Sequence, residues 1–123
     1  MSKTILVVED DKDLLNLVTL KLEQEGFKVD AAETGQQVLD YLENNLPDLV
    51  LLDILLPDID GITVLNEIAT HDRTKNLPVI ILSNLADQGS FEQAAAVGNY
   101  EYLVKAKVDL SELAAKIKSK LNC

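Results

Sequence analysis

Ile5-Leu6-Val7-Val8-Glu9-Asp10-Asp11 begins as an unbroken apolar run and ends as three consecutive acids. A short continuous run rich in β-branched residues predicts a strand buried on both faces, as in a parallel sheet. The same pattern returns at Leu49-Val50-Leu51-Leu52, Val79-Ile80-Ile81-Leu82 and Tyr102-Leu103-Val104, followed in turn by Asp53, Ser83 and Lys105. Lys28-Val29-Asp30-Ala31-Ala32 is half polar and suits an edge strand.

Helical periodicity fills the intervals. Between Asp13 and Glu25, Leu14, Leu17, Val18 and Leu22 mark one face, with Gly26 as the expected C-cap. Thr34 is the expected N-cap of a helix carrying Val38, Leu39 and Leu42. Gly61 precedes a helix with Ile62, Leu65 and Ile68, and a fourth helix is expected from Ser90 through Ala96 to a stop at Gly98. The last carries Leu113, Ile117 and Leu121, with Ser111 as its expected N-cap. Five strands alternating with five helices in 123 residues leave about 25 residues per unit, room for one strand, one helix and two short loops. Such alternation implies an α/β fold with right-handed crossovers and helices on both faces of an open, doubly wound (βα)5 sheet. Strand order 2-1-3-4-5 puts the polar second strand at an edge. Residues 1–123 are expected to form one domain.

Composition narrows the function. With 21 acidic against 11 basic residues the formal charge is −10, which disfavours direct binding to a phosphate backbone. Cys123 is the single cysteine, so no intramolecular disulfide can form. No apolar run approaches the ~18–20 residues of a membrane span. The stretch after Met1-Ser2-Lys3-Thr4 is too short for a signal peptide, and a cytoplasmic location is expected.

In an open α/β sheet ligands bind beyond the carboxyl ends of the strands, where strand order reverses. That point lies between strands 1 and 3, which brings Asp10 and Asp53 face to face, with Glu9 and Asp11 beside them. Carboxylates gathered at one point repel unless a cation or a shared proton compensates. Hard oxygen donors with no His or Cys nearby suit Mg²⁺ better than Zn²⁺ or Ca²⁺.

These residues resemble the receiver domains of bacterial response regulators (CheY-like) in two-component signalling, over essentially the whole chain. Ile5–Asp11 looks like that family's first strand and acidic pair. Asp53-Ile54-Leu55-Leu56-Pro57-Asp58-Ile59-Asp60-Gly61 is similar to its phosphoacceptor segment. Ser83 falls at the family's hydroxyl residue after strand 4, Tyr102 at its aromatic switch and Lys105 at its lysine after strand 5. The resemblance implies a flavodoxin-like fold in which Asp53 accepts a phosphoryl group from a kinase phosphohistidine. It implies that Mg²⁺, for which Mn²⁺ can substitute, is held by Glu9, Asp10, Asp53 and the backbone carbonyl of Leu55. Asp11 would instead begin the first helix, where its charge suits the dipole. Lys105 would pair with the acceptor and then with a phosphate oxygen. Ser83 would bond the phosphate and let Tyr102 move, switching a protein-interaction surface.

The partners so implied are a sensor histidine kinase or phosphotransfer protein and a downstream target or fused output domain, without direct nucleic-acid or membrane contact. The domain would be a signalling module, acting only in its own phosphorylation and slow dephosphorylation, and not an enzyme. Two positions depart from the pattern. Ala106 follows Lys105 where the family carries a cis proline, which leaves the aim of Lys105 open, with Lys107 the poorer substitute. Asn84 replaces a small residue and is expected to alter how water reaches the phosphate.

Other residues are read more plainly. His71-Asp72-Arg73-Thr74-Lys75-Asn76 is expected to be a solvated loop without a catalytic role. Leu15 and Leu20 fall at the edge of and outside the first helix's core stripe, on the helix that the family would use to dock its kinase. Phe91 and Tyr100 flank the face that receivers commonly present to targets.

Three alternatives compete. A receiver-like adaptor that is never phosphorylated is one. A haloacid-dehalogenase-type phosphatase with Asp58 as nucleophile is another, though Pro57 separates Asp58 from a strand end and Ile62 stands where that motif has Thr. Against a flavodoxin-type cofactor binder, no Gly- or hydroxyl-rich phosphate loop follows strand 1, where Glu9-Asp10-Asp11 would repel a phosphate unless metal were bound.

Overall fold

The computed structural model describes residues 2–83, 88–98 and 100–123. Five strands alternate with five helices: β1 (Thr4–Val8), α1 (Lys12–Gln24), β2 (Lys28–Ala32), α2 (Gly35–Asn44), β3 (Leu49–Leu52), α3 (Gly61–Thr70), β4 (Val79–Ser83), α4 (Gln88–Val97), β5 (Glu101–Val104) and α5 (Leu110–Leu121). All strand pairs are parallel, and the sheet order is β2-β1-β3-β4-β5, as expected.

The three central strands are apolar apart from Thr4 at the start of β1 and Ser83 at the end of β4, because each divides its side chains between two cores. Leu6, Val8, Val50, Leu52, Val79 and Ile81 face Val38 and Leu42 of α2, Val64, Leu65 and Ile68 of α3, and Ala94 of α4. Ile5, Val7, Leu49, Leu51, Ile80 and Leu82 face Leu15, Val18 and Leu22 of α1 and Leu113, Ala114 and Ile117 of α5. Alternation by two along each strand assigns neighbours to opposite cores. Both layers are therefore needed to dry the sheet.

Several local expectations change. β5, expected to be buried on both faces, is half-buried along its whole length because it is the sheet's second edge. On α1 the buried stripe is Leu15, Val18 and Leu22, whereas Leu14 is half-buried and Leu17 is exposed. Apolar residues nearly encircle this helix, and at 100° per residue Leu15, Val18 and Leu22 span a narrower arc than the set containing Leu17. Leu20 is exposed, as expected.

Helix ends are mostly where their caps predict. Asp11 caps α1 by accepting from the Asp13 and Leu14 N–H groups, and Thr34 caps α2 by accepting from Gln37 N–H. Gly26, with φ of 94°, follows the end of α1. Ser111, expected to cap α5, lies inside it; Asp109 does the capping, with Oδ1 accepting from Glu112 N–H at 2.7 Å. A carboxylate at that position also meets the positive end of the helix dipole, which a hydroxyl cannot match.

The loop after α3 is exposed as expected, except at Thr74. His71 is exposed, but Thr74 is buried and donates from Oγ1 to the Ile68 carbonyl at 2.7 Å. Arg73 donates to the Leu42 and Glu43 carbonyls, satisfying two acceptors left open at the end of α2. Asn84 and the side chain of Phe91 lie outside the described residues. Tyr100 is half-buried against the core shared by α2, α3 and α4.

Candidate functional site

Backbone pairing alone carries the first acids to one point. Glu9 N–H donates to the Ala32 carbonyl at 3.0 Å and Asp53 N–H to the Val8 carbonyl at 3.1 Å. Each thus extends its strand by one residue at the carboxyl edge, on either side of the point where strand order reverses. Both side chains are sunk in the fold, each residue being 4% exposed. Asp10 is exposed at the rim, because Asp11 turns away to cap α1. Carboxylate oxygens of Glu9, Asp10 and Asp53 lie within 4.8 Å of one another.

Lys105 enters from the far side. It begins a single 3-10 turn (Lys105–Lys107) directly after β5. Its ammonium lies 2.5 Å from Glu9 Oε1 and 2.8 Å from Asp53 Oδ2, with the lysine side chain only 10% exposed. No cis peptide bond occurs among the described residues, so Lys105 reaches the acids with Ala106 in trans. Lys107 is exposed and takes no part. The other oxygen of Asp53, Oδ1, accepts from Leu55 N–H at 3.1 Å, which fixes the carboxylate plane from two directions.

Charge in this pocket is incompletely balanced. Two buried carboxylates and one ammonium leave one negative charge, and Asp10 adds a second. Burial pushes the Glu9 carboxyl above its ordinary range, with the neighbouring Asp53 charge acting in the same direction; the Lys105 bond and the Asp11 N–H only partly oppose this. Burial pulls Lys105 down, but its bonds to Asp53 and Glu9 and their charges together hold it above the ordinary lysine range. The ammonium is therefore fully charged, and a further cation at the rim would relieve what remains.

The donor set fits Mg²⁺: three carboxylates with no nitrogen or sulfur ligand in the cluster, opening on water. Glu9, Asp10, Asp11, Leu14, Asp53, Leu55, Lys105 and Ala106 line one cavity of about 490 Å³ at this edge. It is large enough for a hydrated ion and a phosphoryl-sized group together.

Ser83 and Tyr102 are placed nearby but do not line that cavity. Leu52 pairs with Ile81, so Ser83 lies on the carboxyl edge next to Asp53 and is fully buried. Tyr102 pairs with Ile81 on β5, two residues before the strand end, half-buried against the core. Asp58 is engaged elsewhere: its oxygens accept from the Gly35 and Gln36 N–H groups of α2 at 2.8 and 3.0 Å. That placement, on a loop and away from the acidic cavity, disfavours Asp58 as a phosphatase nucleophile.

Residues 5–118 match the family model of the response regulator receiver domain. The chain belongs to this family. Among curated relatives, this receiver domain is 35% identical over 121 residues to the phosphate regulon transcriptional regulatory protein PhoB of Rhizobium meliloti, covering 98% of the chain and 53% of that protein. It spans about half the length of such relatives. Among solved structures it resembles a putative response regulator from Chloroflexus aurantiacus, with 32% identity, a TM-score of 0.91 and full coverage of both chains. It also resembles the receiver domain of the sensor histidine kinase PA1611 from Pseudomonas aeruginosa, with 27% identity, a TM-score of 0.89 and full coverage of both. The PA1611 structure has a magnesium ion coordinated in the active site cleft.

The sequence missed one wall of the pocket and one contact outside it. Leu14, assigned to the core stripe, is half-buried at the cavity wall, a consequence of the rotation of α1. Asp58 was considered only as a nucleophile; its bonding to residues 22 and 23 positions earlier has no local signature.

Proposed function

We propose that Asp53 is the phosphoacceptor of this receiver domain and that Glu9, Asp10, Asp53 and the Leu55 carbonyl hold the Mg²⁺ on which transfer depends. The observation that carries the reading is the Asp53 carboxylate itself, buried at the switch point. Lys105 is on one oxygen, Leu55 N–H on the other, and two further acids are within ligand distance. An Asp53 oxygen attacks the phosphorus of a phosphohistidine, the P–N bond breaks with its electron pair leaving on the imidazole, and an acyl phosphate remains. When bound, Mg²⁺ supplies neutralisation of the charge on the transferring group. Lys105, already charged, exchanges its bond to Asp53 for one to a phosphoryl oxygen. Ser83 donates to another phosphoryl oxygen, and its inward movement frees space for Tyr102 to change packing.

The donor is then a sensor histidine kinase or phosphotransfer protein. The readout is a partner docked on the surface that Tyr102 alters, or an output domain in a longer regulator such as those of which this chain matches half. Among the described residues no helix is long and apolar enough to cross a membrane. Intact mass after treatment with a small phosphodonor and Mg²⁺ tests the reading. The native chain gains one phosphoryl group, about 80 Da, and the Asp53→Asn variant does not; equal labelling of the two sinks it, as would labelling at Asp58.

A further inference from the structure

The loop between β3 and α3 brings the Leu55 N–H to Asp53, yet the Leu55 side chain is 52% exposed and does not anchor it. The loop is held at two other places. At its neck, Gly61 N–H donates to the Ile54 carbonyl at 2.9 Å, and a Cβ on Gly61 would lie 2.5 Å from Ile54 Cα. At its tip, the Asp58 carboxylate takes the Gly35 and Gln36 N–H groups, one on each oxygen, while Ile59 sits on Gly35 so closely that a Cβ there would come within 2.8 Å. Thr34 already caps α2 through Gln37 N–H, so the helix has its ordinary cap without Asp58.

We propose that Asp58 is a positioning residue for the acceptor site, clasping the β3–α3 loop to the first turn of α2 so that Leu55 presents its backbone to Asp53 and to the metal. The inference rests on the reading of Asp53 as acceptor. Asp58 touches neither Asp53 nor the acidic cavity; it acts through Leu56 and Pro57, the two residues that separate it from Leu55. Its carboxyl is held below the ordinary range, chiefly by the Gln36 N–H, with burial opposing and the Gly35 N–H assisting, so the ionised form that makes both bonds is the one present. The same contact makes the first turn of α2 a lever on the site: a partner that shifts this turn would change metal affinity.

The test compares Asp58→Ala with Thr34→Ala, which removes a cap from the same helix end without touching the loop, and with Asp58→Asn, which keeps an oxygen acceptor. Two quantities are read: the Leu55 amide resonance in metal-free protein, and the Mg²⁺ dissociation constant by titration. Asp58→Ala is expected to move the Leu55 resonance and weaken Mg²⁺ about 3- to 10-fold, less than the roughly 10- to 100-fold of residues bonded directly to a metal ligand, because Asp58 acts through the loop. Asp58→Asn should fall between it and the native chain, and Thr34→Ala should change neither quantity beyond about twofold. Equal Mg²⁺ affinity in Asp58→Ala and Thr34→Ala, or an unmoved Leu55 resonance, overturns the clasp. Should Asp58→Ala not fold, Asp58→Asn decides by the same comparison. A native chain that binds no Mg²⁺ would instead overturn the reading of the site, with the Leu55 resonance still deciding the clasp.

Discussion

Two lysines, one directly after β5 and one on α5, make nearly the same bond in different surroundings. Lys105, just after the strand, lies 2.8 Å from Asp53; Lys116 lies 2.9 Å from Glu101, the first residue of the strand, with Lys120 at 3.4 Å from the same carboxylate. The Asp53 and Lys105 side chains are 5% and 10% exposed, whereas those of Glu101 and Lys116 are 29% and 41%. Coulomb attraction at equal distance grows several-fold as the effective dielectric falls from that of water toward that of a protein interior. So does the penalty for leaving a charge alone. The lower pair can be lost to water at little cost. In the upper group, removal of Lys105 leaves two buried carboxylates without a counter-charge, whereas removal of Asp53 leaves the ammonium paired with Glu9.

Removal of Lys105 is the strongest way to break this contrast. Lys105→Ala leaves Glu9 and Asp53 facing each other without a counter-charge, and a loss of about 2–4 kcal/mol in metal-free urea unfolding is expected. Lys116→Ala in the same assay should produce a far smaller change. Similar losses in the two variants would mean that burial does not distinguish the pairs.

An intermediate case sharpens it. Tyr41 donates from its hydroxyl to Asp30 Oδ2 at 2.6 Å, a half-buried carboxylate answered by a neutral donor. Tyr41→Phe should cost about 1 kcal/mol near neutral pH, the usual net value of one such bond. Burial first, then the Asp30 bond and charge, push the Tyr41 hydroxyl well above its ordinary value of 10.0. Below that value both folded and unfolded tyrosine are protonated, and the contribution is complete. As pH rises past 10 the unfolded chain ionises first and the contribution falls away. Thermal unfolding of native and Phe variants should therefore converge between pH 10 and 12, and a constant gap would contradict the assignment.

The smallest effect belongs to Glu101. Its carboxyl is lowered chiefly by the Lys116 bond, against some burial and with Lys120 assisting. A lowered carboxyl contributes above its unfolded value and loses that contribution as pH falls through the folded one. Glu101→Gln should lower Tm by about 1–3 °C at pH 7 in low salt. The gap should close below about pH 4 and in 1 M salt, where exposed pairs are screened. A gap that persists in high salt would make this pair more like the one at Lys105 than its exposure implies.

Legibility in the sequence followed burial. β1, β3 and β4 were readable because a strand covered on both faces is almost wholly apolar, and the acids after β1 and β3 stood out against that background. The α1 stripe was misassigned because Leu14, Leu15, Leu17, Val18, Leu20 and Leu22 offer more than one arc, and only contact with the sheet selects among them. β5 looked like its central neighbours because apolar composition does not distinguish an edge from a centre. Asp109 was overlooked as the cap of α5 because Ser111 is an equally good capping residue in isolation. Thr74 was assigned to solvent by composition, although it is buried and satisfies the Ile68 carbonyl of α3; Arg73 is exposed yet reaches carbonyls of α2.

From the sequence alone came the alternation of strand and helix, the strand order, and the gathering of Glu9, Asp10, Asp53 and Lys105 at one edge, because periodicity and strand ends are local properties that topology then brings together. Tertiary structure decided which way Lys105 points with Ala106 behind it, which side of α1 faces the sheet, and what Asp58 holds. Each of these depends on groups far apart in the chain, whose mutual approach is set by packing and by the need to satisfy buried backbone groups, and no local pattern of residues encodes that approach.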